Sequence, residues 1–224
     1  MRTPLVLVAT LATLAFAPPP AAADHGEPAP PTRNLVLAGI GMGIPTYVLG
    51  VTIHEGTHAL VAKAFGAEII RMQLLPGRHP RTGRFYFGYV QYRGRLPTGQ
   101  RVLFLLSPKI VDVVMLGGYA ALVGTDTLPD NHYGQLALAV VATGFWVDFA
   151  KDIAAFFRPH DVNMALDKIG MKGPWKKLPY YLAYAGLAAV GSIAIVEGYR
   201  RIFDDGTPAA APRAVTLPVF TGRF

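Results

Sequence analysis

Four long runs of apolar residues divide the chain, over residues 35–62, 102–123, 135–157 and 180–199. Each is long enough for a helix that crosses a bilayer, which takes about 20 mostly apolar residues. The polar positions inside them are few. The first run holds only His54, Glu55 and His58 as ionisable residues; the second holds Lys109 and Asp112; the third holds Asp148, Lys151 and Asp152; the fourth holds Glu197 near its end. The pattern predicts a mainly α, multi-pass membrane bundle of about four spans, occupying residues 34–200.

Residues 68–96 follow a different pattern. Gly77, Pro80 and Gly83 cluster between two β-favouring runs, residues 69–75 and 84–92, and the second run is densely aromatic (Phe85-Tyr86-Phe87-Gly88-Tyr89-Val90-Gln91-Tyr92). Two such runs around a turn cluster predict a β-hairpin. Its aromatic rings suit the level of lipid headgroups, and its edge suits pairing with an extended peptide.

The ends read differently again. Arg2, the apolar residues 5–16 and the small residues Ala21, Ala22 and Ala23 have the layout of a signal peptide over residues 1–23, or of a first anchor if it is not cleaved. A Pro/Ala-rich linker follows over residues 24–33, and residues 201–224 read as a flexible C-terminal tail.

Composition supports a lipid-facing surface: the 224 residues are 52% hydrophobic and 16% charged, with a mean hydropathy of +0.34. Soluble domains carry about 25% charged residues. The net charge is +7, but its distribution argues for topology. Eight Lys and Arg residues from Lys63 to Arg101 separate the first two runs, none separates the second and third, and Arg158, Lys168, Lys172, Lys176 and Lys177 separate the third and fourth. Basic loops stay cytoplasmic, so the first span is expected to run from outside to inside, with the hairpin on the cytoplasmic side. Nucleic acid is not an expected partner. Arg200 and Arg201 fit this scheme less well, because the fourth span should end outside.

The chain has no cysteine, so a metal here must use His, Asp or Glu. His54-Glu55-Gly56-Thr57-His58 supplies such a set. Residues four apart share a helix face, so His54 and His58 can grip one ion, and Glu55 can act as a general base toward a water that the metal activates. Two histidines and a carboxylate suit zinc. Three ionisable groups within five residues of an apolar span are expensive to keep and point to function. The third ligand is open among four aspartates. Glu68 and Glu197 are poorly placed, at a turn and near the far membrane face. By depth along the spans Asp148 is preferred, followed by Asp161, which could fold back, then Asp152 and Asp112.

These residues resemble the site-2 protease family of intramembrane zinc metalloproteases over about residues 35–169. The likeness lies in His54-Glu55-Gly56-Thr57-His58-Ala59-Leu60 followed by Ala64-Phe65-Gly66-Ala67-Glu68, and in Leu106-Ser107-Pro108-Lys109-Ile110-Val111-Asp112, similar to a Gly-Pro-x-x-Asn segment. The resemblance implies a third Asp ligand in a Leu-Asp-Gly sequence near an Asn and prolines. Trp146-Val147-Asp148-Phe149 and Pro159-His160-Asp161-Val162 are partial matches, neither followed by Gly.

The expected activity is therefore zinc-dependent hydrolysis of peptide bonds in or beside the spans of a membrane-protein substrate. The expected location is an integral protein of the bilayer, such as a bacterial inner membrane. The alternatives are a non-catalytic membrane protein of the same fold that binds metal or a membrane partner, and a small transporter using Asp112, Asp148 and the histidine pair as a relay.

Overall fold

A computed structural model of the chain describes residues 30–80 and 83–203. The signal-like segment and most of the tail lie outside the described residues. Five helices, α1 (Thr32–Ala64), α2 (Thr98–Gly124), α3 (His132–Ala154), α4 (Asp161–Lys168) and α5 (Pro174–Phe203), carry the structure, with strands β1 (Glu68–Gln73), β2 (Gly77–Arg78), β3 (Phe85–Tyr86) and β4 (Tyr89–Arg93) between α1 and α2.

Local chemistry sets the helix ends. At the end of α1 the N–H of Gly66 donates to Lys63 O and the N–H of Ala67 donates to Ala62 O, both at 2.9 Å. Gly66 has φ +80°, the left-handed position such a helix stop needs and which glycine adopts at least cost. At the start of α3 the Asn131 side chain accepts the N–H of Gly134 at 2.6 Å, satisfying one of the free donors of the first turn.

Among the described residues three helices, α1, α2 and α5, are long and apolar enough to cross a membrane. Large apolar side chains stand on their outer faces, including Ile40, Ile44, Val114, Leu182 and Ile193. The run at residues 135–157, expected as a fourth span, is not of this kind. It forms α3, which stops at Ala154 and packs against α1, α2 and α5. Leu136, Ala139, Ala142, Phe145 and Phe149 of α3 sit in the main core with Leu116, Tyr119, Ala188 and Ile195. A helix packed among its neighbours can keep Asp148 and Asp152 in its last turns, because Lys109 of α2 faces both, while Lys151 pairs with Asp148 within the helix and reaches solvent.

Polar links hold α3 to α5: Trp146 Nε1–H donates to Ala188 O at 2.8 Å and Tyr184 O–H to Phe149 O at 2.9 Å. The Phe149 and Tyr184 rings stack at 3.9 Å. The fifth helix runs three residues into the stretch read as tail. Ile202 is buried there, and Arg201 pairs with Asp126 of the α2–α3 turn at 2.7 Å and with Glu197 at 3.4 Å. These acidic partners account for a basic residue at that end of α5.

The aromatic segment is a hairpin, as its pattern predicts. Strand β1 pairs antiparallel with β4, with a register shift between Ile69 and Arg71, and β2 pairs antiparallel with β3 nearer the tip. The ribbon folds back along α1. Tyr47 O–H donates to Phe87 O at 3.1 Å, and the backbone at Gly88 lies so close that a Cβ there would stand 2.6 Å from Val51 Cγ1 and 3.0 Å from Glu55 Cγ.

Candidate metal centre

The HExxH residues lie in the C-terminal half of α1, where the helix passes under the ribbon and against α2 and α3. His54 and His58 share a face, their rings 5.1 Å apart. Glu55 is buried, and no hydrogen bond or ion pair joins it to another described residue. A carboxylate held without a partner remains free to take a proton.

Asp161 completes the group. Its Oδ2 lies 3.2 Å from His58 Nε2 and 3.5 Å from His54 Nε2, and one ligand atom from each of the three residues falls within 4.8 Å of the others. A tetrahedral zinc ion with bonds of about 2.0–2.1 Å sets its ligands about 3.3 Å apart. The carboxylate-to-imidazole separations match that spacing, and the donor set of two imidazoles and one carboxylate is one that zinc takes. Burial would raise the Asp161 carboxyl's pKa, but hydrogen bonds from His54 and His58 outweigh it and hold the group below the usual carboxylate range.

The loop after α3 explains how a residue beyond the apolar run arrives here. Asn163 is buried, and its Nδ2–H₂ donates to Phe156 O at 2.8 Å and to Arg158 O at 3.0 Å, drawing residues 156–160 into a tight turn. Lys177 of α5 donates to the Asn163 side-chain oxygen. The turn sets Asp161 at the first position of α4, where the helix dipole favours a carboxylate, and α4 packs against α2.

Each histidine is held from behind at Nδ1. His58 Nδ1 is 2.7 Å from Phe104 O, and His54 Nδ1 is 2.8 Å from Asp148 Oδ2. In each case the partner makes Nδ1 the donor, so Nε2, on the Asp161 side, is the nitrogen that would be available to a metal once the proton between it and Asp161 is displaced. Outer partners of this kind orient metal-binding histidines. The carbonyl at Phe104 lacks its helical partner for a local reason, because that partner would be the N–H of residue 108 and Pro108 has none; besides His58 it accepts the Ser107 hydroxyl at 3.0 Å.

The four candidate aspartates therefore separate. Asp161 faces both Nε2 atoms. Asp148, preferred by depth, stands behind His54 and bonds to Lys109 at 2.7 Å and to Lys151. Depth along a span cannot tell the front of an imidazole from its back. Asp112 and Asp152 are further off, around Lys109 at 3.2 and 3.5 Å. Phe104 and Asn163 were not singled out by sequence, and Lys109 stood out only as an ionisable residue after Pro108 within an apolar run.

A cavity of about 1040 Å³ reaches these residues and extends along α1 as far as Leu35. Phe85–Val90 of the ribbon, Val140 and Val147 of α3, and Arg101 of α2 line it. The Arg101 guanidinium lies over the Phe104 and Tyr92 rings, 5.0 and 5.4 Å from their centres.

No protein-family model matches the chain, no curated protein matches it, and no solved structure matches its fold.

Proposed function

We propose that the protein is a membrane-embedded zinc metalloprotease, with His54, His58 and Asp161 as the metal set and Glu55 as the proton carrier. The observation that carries this reading is the convergence of two imidazole Nε2 atoms, one carboxylate and a glutamate without a hydrogen-bond partner among the described residues on a single apolar cavity. The three long apolar helices support a bilayer setting, and the cavity along α1 has the apolar lining that a membrane-protein substrate needs.

Bound zinc supplies a Lewis acid for water and for the scissile carbonyl. The chain does the rest. Asp148 and the Phe104 carbonyl hold the histidines in register. Glu55 takes a proton during attack and returns it to the leaving amine. The ribbon beside Glu55 excludes bulk water and offers backbone to a substrate that must unwind before its carbonyls can react.

The test uses purified full-length protein in detergent, with its zinc content measured, and a co-reconstituted panel of single-span substrates. Glu55→Gln is expected to keep the metal and lose roughly 10²–10⁴-fold in cleavage rate. Cleavage by Glu55→Gln at the wild-type rate would sink the mechanism. A wild-type protein that holds zinc and cleaves none of the panel would favour a metal-binding role without proteolysis.

A further inference from the structure

We infer that Lys109 positions the Asp148 carboxylate behind His54, and so holds Nδ1 as the donor and Nε2 toward the metal position. The inference rests on the reading of His54, His58 and Asp161 as the metal set.

Lys109 belongs to α2 and is 4% exposed. Its ammonium lies 2.7 Å from Asp148 Oδ2, 2.5 Å from Asp148 O, 3.2 Å from Asp112 Oδ2 and 3.5 Å from Asp152 Oδ2. Asp112 and Asp152 are each 3% exposed and could balance the cation by themselves. Asp148 adds a connection, because its Oδ2 is also 2.8 Å from His54 Nδ1. One oxygen thus sits between a buried ammonium and an imidazole.

An ammonium can only donate. An ionised carboxylate only accepts, so the Asp148 oxygen that Lys109 pins beside His54 makes Nδ1 the donor. A neutral imidazole has one N–H, so a metal-binding His54 would present Nε2, which lies 3.5 Å from Asp161 Oδ2. The other carboxylate oxygen bonds to Lys151, which is 53% exposed and can be replaced there by water. No such replacement is open at buried Lys109. Lys109 is therefore a positioning residue acting through Asp148. His58 reaches the same tautomer by another route, the carbonyl freed by Pro108.

Asparagine at position 148 separates this role from simple cohesion between α2 and α3. An amide can turn either its oxygen or its NH₂ toward His54. With Lys109 present the oxygen must face both donors, so Nδ1 stays protonated. Without Lys109 the NH₂ can face His54, which puts the proton on Nε2 and blocks the metal.

The experiment compares wild type, Asp148→Asn, Lys109→Met and the double variant as full-length protein in detergent. Co²⁺ affinity is read from its visible absorption, Zn²⁺ affinity by competition, and each protein is also melted. Asp148→Asn is expected to stay within about tenfold of wild type, and the double variant to lose about 10–100-fold more, the range for an outer partner. Melting should not track affinity: the double variant is expected to be no less stable than Lys109→Met, because it removes a carboxylate together with the buried cation. Lys109→Gln with Asp148→Asn keeps a polar group beside Asp112 and is expected to lose affinity as the methionine double does; it decides the matter if the latter does not fold. Additive losses, or an Asp148→Asn variant as weak as the double, overturn the inference and leave the metal set standing. A wild-type protein that binds neither ion overturns both.

Discussion

His58 donates its Nδ1–H to the carbonyl of Phe104 at 2.7 Å, a bond possible because Pro108 leaves that carbonyl without its helical partner. Replacing Pro108 by Ala restores the N–H and lets α2 compete for the same oxygen. The variant is expected to lose up to about tenfold in zinc affinity, at the lower end for an outer partner. Competition with a chromophoric chelator measures it, and an unchanged affinity would remove Phe104 from the orienting role.

The two aspartates nearest the histidines should differ in kind. Asp148→Ala is expected to weaken zinc binding by about 10–100-fold, as loss of an outer partner does. Asp161→Ala should exceed that range, because it deletes a ligand. Metal content after dialysis ranks the two, and the reverse order would return Asp148 to the ligand set.

Gly88 is a site where side-chain volume should affect catalysis but not metal. A methyl there would press on Val51 and on the Glu55 side chain. Gly88→Ala is expected to destabilise the fold by about 1–3 kcal/mol, the usual cost of overpacking, and to lower cleavage while zinc content stays at one per chain. Loss of the metal as well would mean that the ribbon supports the histidines and not Glu55 alone.

Asn163 is expected to matter through geometry. Asn163→Leu takes the donor from the carbonyls of half-buried Phe156 and exposed Arg158 and the acceptor from buried Lys177, at about 1–3 kcal/mol for a buried unsatisfied group. It also loosens the turn that delivers Asp161. Both the melting temperature and the zinc affinity should fall. A variant that melts lower yet binds zinc normally would separate the turn from the site.

Much of this arrangement was legible in the residue pattern. Three apolar runs became long apolar helices because their length and composition allow little else. The aromatic stretch became a ribbon because β-favouring runs flank a Gly/Pro cluster. His54 and His58 meet on one face because a helix places residues four apart together. The third apolar run was harder to read, since apolarity looks alike in a helix facing lipid and in one enclosed by other helices.

The sequence by itself determined the ingredients: a histidine pair with its glutamate on an apolar helix, a set of aspartates and a lysine inside an apolar run, with no cysteine to compete. Only the tertiary structure decided the division of labour among the aspartates. Asp161 comes to the front of the histidines because the Asn163 turn folds α4 back against α2, and Asp148 goes behind His54 because α3 packs along α1 on its Nδ1 side. Those positions depend on how helices remote in sequence pack together, and spacing along the chain carries no record of that.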